Sequence, residues 1–277
     1  MLKIIFLQPD YLLLRTFKKN TVKKIITIPA TLFLAVIVVT AVAFCSLKKS
    51  PAKNESPVAT PGFAVMELFT SQGCSSCPAA DELLGKYAAQ NNPDIITLSL
   101  HVDYWNRLGW KDSFSDAAFS ERQRRYARTI AGSSVYTPQL VVNGSTEMVG
   151  SDEAKITASI KRALSQKPIA AISISSHEVS NGTLKIKYAA TGNLANTNVL
   201  ALLVQNNAIT KIKAGENKGA MLTGYNIVKT MVSNPAKTEG ECRLEVPDAF
   251  EPGKFSVVLL LQQTDKLTIT GVVKLVI

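Results

Sequence analysis

Two thiols three residues apart, Cys74 and Cys77 in Gly73-Cys74-Ser75-Ser76-Cys77-Pro78, are the residues best placed for chemistry. An apolar run, Phe63-Ala64-Val65-Met66-Glu67-Leu68-Phe69, leads into them, and a helical pattern from Ala79 to Ala89 follows. The pair therefore sits at a strand-to-helix turn, where sulfurs on a first helical turn come within bonding distance. Unpaired N–H groups and the helix dipole stabilise a thiolate on the first of them. Such a pair serves redox exchange or half of a metal site. As a structural staple it is poor, because so short a loop constrains the unfolded chain little.

A metal set has few other ligands to draw on. Zinc takes four, and there is no second Cys-x-x-Cys and no His-x-x-x-His; the histidines are His101 and His177. Cu(I) is content with two thiolates and one imidazole, which makes Cys74, Cys77 and His101 the alternative to no metal at all. No cofactor is called for. In the redox case the two intervening serines do not reveal whether the pair oxidises or reduces its partner, since that depends on potential.

The elements that must hold the pair follow from patterning. Ala64–Phe69 is a strand, and Asp81 to Ala88 is helical, with acids early and Lys86 late as the dipole favours. Asn91-Asn92-Pro93-Asp94 breaks that helix, and Ile95 to Val102 is a buried strand with His101 near its end. Asp103, Tyr104, Trp105 and Trp110 lie beyond that strand, where residues line substrate grooves in α/β sheets. Packing of the two indoles onto the core is the equal alternative. Asp103 is a candidate proton acceptor for Cys77. Phe114–Ala127 reads as a helix capped by Ser113, with Asp116 completing a capping box. Tyr136 to Gly144 is a strand closing on Asn143-Gly144, a hairpin turn into Glu147-Met148-Val149. Ser151–Ser165, capped by Ser151, is the last helix.

From Pro168 the pattern changes to seven short β-rich runs, 169–175, 183–190, 199–205, 225–231, 242–246, 254–262 and 269–276. These predict an antiparallel β-sandwich of immunoglobulin-like type. Gly215-Glu216-Asn217-Lys218-Gly219 reads as a long inter-strand loop able to pack against the first domain. Cys242 reads as a buried small hydrophobe and His177 as a surface residue.

Strand–helix alternation, Cys-x-x-Cys after the first strand and Thr137-Pro138 opening a later one together resemble the thioredoxin fold. The resemblance implies that Cys74 is the nucleophile, Cys77 the resolving thiol and Pro138 a cis-proline facing them, with backbone beside it at Thr137 binding a substrate peptide. Trp105 and Tyr104 complete the expected binding set. Four stretches are similar to the secreted bacterial family called domain of unknown function 1223. They are Glu67 to Pro78, His101-Val102-Asp103-Tyr104-Trp105, Ser120-Glu121-Arg122-Gln123 and Tyr136-Thr137-Pro138-Gln139. With Gly215 to Gly219 the similarity spans nearly all of residues 63–277. The expected fold class is thus α/β plus all-β, a thioredoxin-like domain (63–167) followed by the sandwich (168–277).

Charge and hydropathy address the compartment. Of a net charge of +10, half lies in residues 1–45, and the rest is spread without a basic block, which gives nucleic-acid binding little support. Residues 25–45 form an uncharged apolar run of bilayer length, with Arg15, Lys18, Lys19, Lys23 and Lys24 close on its near side against Lys48, Lys49 and Lys53 beyond it. That bias predicts a cytoplasmic tail and export of everything after Cys45, to the periplasm or another extracytoplasmic face. The segment (1–45) is an uncleaved membrane anchor, a signal cleaved after Ala41-Val42-Ala43, or a lipidation site at Cys45, against which bulky Phe44 argues. Residues 46–62 read as a flexible tether. The expected partners are protein thiols or disulfides, a redox partner and, through residues 25–45, the membrane.

Overall fold

Every residue of the strand that leads to the cysteines, β1 (Ala64–Thr70), is buried, because both of its faces are covered. The computed structural model describes residues 62–277. The tail and apolar segment within residues 1–45, with Cys45, and the tether up to residue 61 lie outside the described residues. Among the described residues no helix is long and apolar enough to cross a membrane.

After β1 come α1 (Cys77–Ala89), β2 (Ile95–His101), α2 (Ala117–Thr129), the hairpin β3 (Gln139–Val142) and β4 (Thr146–Val149), and α3 (Glu153–Leu164). Seven strands follow: β5 (Ala170–Ser180), β6 (Thr183–Gly192), β7 (Thr197–Lys211), β8 (Met221–Pro235), β9 (Glu239–Glu245), β10 (Phe255–Gln263) and β11 (Ile269–Val276). They form a mixed α/β structure with two sheets. One has eight strands in the order β11-β10-β7-β8-β2-β1-β3-β4, and the other has three, β5-β6-β9.

β1 pairs parallel with β2 over its whole length, Ala64 with Ile95 through Thr70 with His101. On its other side it pairs antiparallel with β3, ending at Phe69 with Gln139. Alternation then sorts its side chains. Met66 and Leu68 meet Leu83 and Leu84 of α1 and Ile156 and Ile160 of α3. Val65 and Phe69 enter a core with Leu98 and Leu100 of β2, Phe119 and Tyr126 of α2, and Leu200, Leu202 and Val258 from β7 and β10. The opposite faces of β7 and β10 (Leu203, Leu259, Leu261) pack on Ile172, Leu184 and Ile186 of the three-stranded sheet.

The chain after residue 168 thus shares a sheet with the chain before it. The join is β2 with β8, parallel and registered only at Ser99 with Ile227, and reinforced by Asn226 Nδ2 donating to Thr97 Oγ1 (2.6 Å). A second tie closes the sheet back on itself. Asn143 and Gly144 take positive φ in the β3–β4 turn, where the Asn143 carbonyl accepts from Ile269 N (3.0 Å) at the start of β11. Gly85 lets α1 lie against β8, since a Cβ there would sit 2.5 Å from the Tyr225 ring.

Three expectations are corrected. α2 starts at Ala117, not Phe114, because Asp112 and Ser115 are spent on a turn; Asp116 caps the helix by accepting from Ala118 N (2.7 Å). Asp152, not Ser151, caps α3, accepting from Lys155 N (3.1 Å). β7 and β8 are each 15 residues long, about twice the expected runs. The added stretches Asn206–Lys211 and Met221–Gly224 lie largely outside the cores, with Ile209 and Met221 exposed, so the strands run on past the buried apolar pattern that marks them.

Candidate functional site

Cys74 and Cys77 are joined in a disulfide with Cα atoms 5.4 Å apart, and both residues are fully buried. Cys77 is the first residue of α1 and Pro78 follows in the first turn, where its missing N–H costs nothing. The loop from β1 is held by short-range bonds: Gly73 N donates to Ser71 Oγ (3.1 Å), Cys74 N to Ser71 O (3.1 Å) and Cys77 N to Cys74 O (3.3 Å). The Ser76 hydroxyl lies 3.4 Å from Cys74 Sγ, so a donor is in place for charge that develops on that sulfur.

Beneath the pair lies a buried polar cluster. Asp81 is four residues after Cys77 on α1, hence on the same face one turn along. Its carboxylate accepts from Thr70 Oγ1 (3.1 Å). Although the residue keeps some exposed surface, burial of its carboxyl pushes the pKa up to about 7; the His101 imidazole and the Thr70 hydrogen bond oppose this, while Asp112 and Glu82 add to it. His101, at the end of β2, meets Asp112 Oδ2 through Nδ1 (2.7 Å), and its ring packs edge-on against Phe114. Asp112 also accepts from Gln72 N (2.9 Å) and Phe114 N (2.9 Å), which ties the cysteine loop to this acid. Burial works to raise the Asp112 pKa, yet the imidazole and the two backbone donors overcome it and hold the carboxyl below the usual range. His101 Nε2 and Ser99 Oγ are the buried side-chain polar atoms without a hydrogen-bond partner among the described residues.

The far end of the β7–β8 hairpin reaches over this loop. Asn217 Nδ2 donates to both Gln72 O and Cys74 O (2.9 Å each), and Glu216 Oε2 accepts from Ser75 N (3.0 Å). Gln72 Nε2 donates to Thr210 Oγ1 (3.0 Å), and Trp110 Nε1 to Gln72 Oε1 (3.1 Å).

The expected binding residues lie along one side. The Trp105 side chain passes next to Gly73, where a Cβ would be 3.5 Å from Trp105 Cβ, and its Nε1 donates to Thr137 Oγ1 (2.8 Å). The Thr137–Pro138 peptide is cis. Pro138 immediately precedes Gln139, whose register partner is Phe69 near the end of β1. Tyr104 donates to Gln123 Oε1 (3.2 Å), and burial raises its pKa. Tyr104 and Trp105 also pack on the shared core, so both do structural duty.

Asp103 is not the acid beside Cys77. Its carboxylate accepts from Ser120 Oγ (2.5 Å) and its N–H donates to the same hydroxyl, so it is tied to α2, while Asp81 occupies the place one turn from Cys77. The i+4 spacing of Cys77 and Asp81 was present in the sequence, but early acids on a helix look like solvated dipole partners. Among the described residues no group of three or more His, Cys, Asp or Glu side chains is arranged to hold a metal, so Cys74, Cys77 and His101 are not gathered into one. His177 is exposed on β5. Cys242 is free and buried in β9, its thiol pKa pushed up first by burial.

Residues 65–262 match the family model described as protein of unknown function (DUF1223). A search of the curated proteins gives no match. Among solved structures the chain is similar to a crystallised protein from Agrobacterium tumefaciens, at 28% identity and a TM-score of 0.61, over 79% of this chain and 96% of that one. It is also similar in fold to HBP35 of Porphyromonas gingivalis, at 13% identity and a TM-score of 0.53, over 78% of this chain and 76% of that one.

Proposed function

We propose that this chain, which belongs to the DUF1223 family of proteins of unknown function, is an exported thiol–disulfide oxidoreductase built on a thioredoxin-like arrangement of residues 63–167. The observation that carries the proposal is the Cys74–Cys77 disulfide at the start of α1, with the near-neutral Asp81 one turn behind Cys77. The order β1–α1–β2 followed by the antiparallel pair β3–β4 and α3 supports the fold assignment.

In the reduced protein Cys74, with the Ser76 hydroxyl nearby, is the thiolate that attacks a disulfide sulfur. One substrate sulfur leaves as a thiolate, and a mixed disulfide joins Cys74 to the other. Cys77 then loses its proton to Asp81 and attacks Cys74 Sγ, releasing the second substrate thiol and restoring the Cys74–Cys77 bond. A base with a pKa near 7 is well matched to that transfer at neutral pH. The same steps in reverse oxidise a dithiol. Thr137, Pro138, Trp105 and Tyr104 are the proposed binding side of the pair. Residues 25–45 direct the protein out of the cytoplasm and place it where partner proteins carry disulfides.

A trapping experiment tests the assignment. Cys77→Ser should accumulate mixed disulfides at Cys74 that a reductant releases, and the Cys74→Ser, Cys77→Ser double variant should accumulate none. If Cys74 in reduced protein alkylates no faster than buried Cys242, or the pair does not cycle between oxidised and reduced forms, the protein is not an oxidoreductase.

A further inference from the structure

We infer that Glu216, on the tip of the β7–β8 hairpin, is a positioning residue that lowers the reduction potential of the Cys74–Cys77 pair and so makes it a donor of electrons. The inference rests on the redox assignment above and adds a direction to it. Three observations converge. The tip is docked on the cysteine loop itself, through Asn217 to the Gln72 and Cys74 carbonyls and through Thr210 to the Gln72 amide. Gly215, at φ +74°, lies against Trp110, where a Cβ would be 3.1 Å from the indole's Cβ. The Glu216 carboxylate accepts from the N–H of Ser75, the residue next to Cys74 and the first peptide of the turn between the sulfurs.

Backbone N–H groups at this turn are what lowers the pKa of a first cysteine. Here the Ser75 N–H is occupied by a carboxylate and the Cys77 N–H by the Cys74 carbonyl. The carboxylate also sits on the peptide N–H adjacent to Cys74, and like charge disfavours a second anion nearby. The reduced form loses stabilisation while the disulfide loses none. A pair becomes a strong oxidant when its reduced form is stabilised, so the opposite balance yields a reductant. In that direction the Cys74 and Cys77 thiols give two electrons to a substrate disulfide. They end as the disulfide seen here, two substrate thiols are released, and a dithiol reductant must regenerate the pair. Around the pair, among the described residues, stand Asp81 with Glu82 beside it, the His101–Asp112 couple with Lys229 near Asp112, and exposed Lys213 and Lys218 on the hairpin loop. Changing Glu216 alone leaves all of these in place.

The test compares full-length wild type, Glu216→Gln and Glu216→Lys, in redox equilibrium with dithiothreitol and in the pH dependence of Cys74 alkylation. Glutamine keeps an acceptor oxygen for Ser75 N and removes only the charge; lysine reverses it. The side chain is exposed, so neither change disturbs a core. Glu216→Gln should make the disulfide about twofold to tenfold easier to reduce, Glu216→Lys more so. The alkylation midpoint should fall in the same order, and added salt should compress the series. A merely structural contact would not grade with charge. If wild type cycles but all three proteins share one equilibrium constant and one midpoint, or the order is reversed, Glu216 has no such role. If wild type cannot be cycled at all, the redox assignment itself fails.

Discussion

Two buried polar clusters flank β1, and they differ in whether every atom has a partner. On the side of α2, Glu67, Arg122, Tyr126 and Gln262 form a closed set. Arg122 donates to both Glu67 oxygens (2.6 and 3.0 Å), to Tyr126 OH (2.8 Å) and to Gln262 Oε1 (2.9 Å). Tyr126 donates to Glu67 (2.5 Å), and Gln262 Nε2 donates to Tyr126 OH and to Leu267 O. The set links β1, α2 and β10, and the Glu67 carboxylate beside Arg122 outweighs burial and pushes the guanidinium's pKa up. Under the cysteines, by contrast, burial raises the Asp81 pKa to about 7, while His101 Nε2 and Ser99 Oγ lack partners among the described residues. A satisfied network specifies a structure; an unsatisfied one retains protons that can move. Under the proposed function, the chemistry lies on one side of β1 and the architecture on the other.

The contrast can be broken most forcefully at Arg122. Arg122→Ala leaves the Glu67 charge buried and alone, and should cost about 3–5 kcal/mol of unfolding free energy in urea titrations. A loss below about 1 kcal/mol would mean that the closed cluster is not what joins β1, α2 and β10.

Asp81→Asn should act the other way on the two properties. Resolution by Cys77, followed by stopped-flow decay of a mixed disulfide, should slow by about a hundredfold, the lower range for loss of a general base. Stability should rise. A carboxyl whose folded pKa is raised above its unfolded one holds its proton more tightly in the folded state, so wild type loses stability as pH climbs from the ordinary carboxylate range to about 7. The advantage of Asn should therefore be absent near pH 3, grow across that window and stay level above it. Equal pH profiles for the two proteins would remove Asp81 from the mechanism.

The smallest effect belongs to Ser99→Ala. Removing a buried hydroxyl that has no partner forfeits no hydrogen bond, so stability should be unchanged or raised by up to about 1 kcal/mol. A substantial loss would show that Ser99 is satisfied after all and would weaken the contrast.

Much of the frame was legible in local pattern. The apolar run of β1, the β-branched run of β2, the Asn143-Gly144 turn and the centres of the seven later strands appear where periodicity and turn residues put them, while β7 and β8 run on well past their expected ends. Helix starts were less legible, since Ser113, Asp112, Ser115 and Asp116 all offer capping oxygens and only tertiary contacts decide which is free. The candidate site divides the same way. Cys74, Cys77 and Trp105 were readable from residue type and position, and Thr137 only through the resemblance to the thioredoxin fold. Asp81 was visible but taken for a solvated helix charge, and Asp103 was assigned a place that Ser120 denies it.

What the sequence determined by itself is therefore a thiol pair at the mouth of a helix, the order of strands and helices around it, and an apolar segment of bilayer length before it. Those properties depend on neighbours a few residues apart, where φ/ψ preference and alternation act directly. Tertiary structure decided the joining of β8 to β2, the proximity of Asp81 and the His101–Asp112 couple to the pair, and the docking of Glu216 and Asn217 on the cysteine loop. The hairpin contacts bridge more than 130 positions of chain. They exist because β7 and β8 continue, as a two-stranded ribbon, well past the core that fixes their register, and no local pattern records where such a ribbon comes to rest.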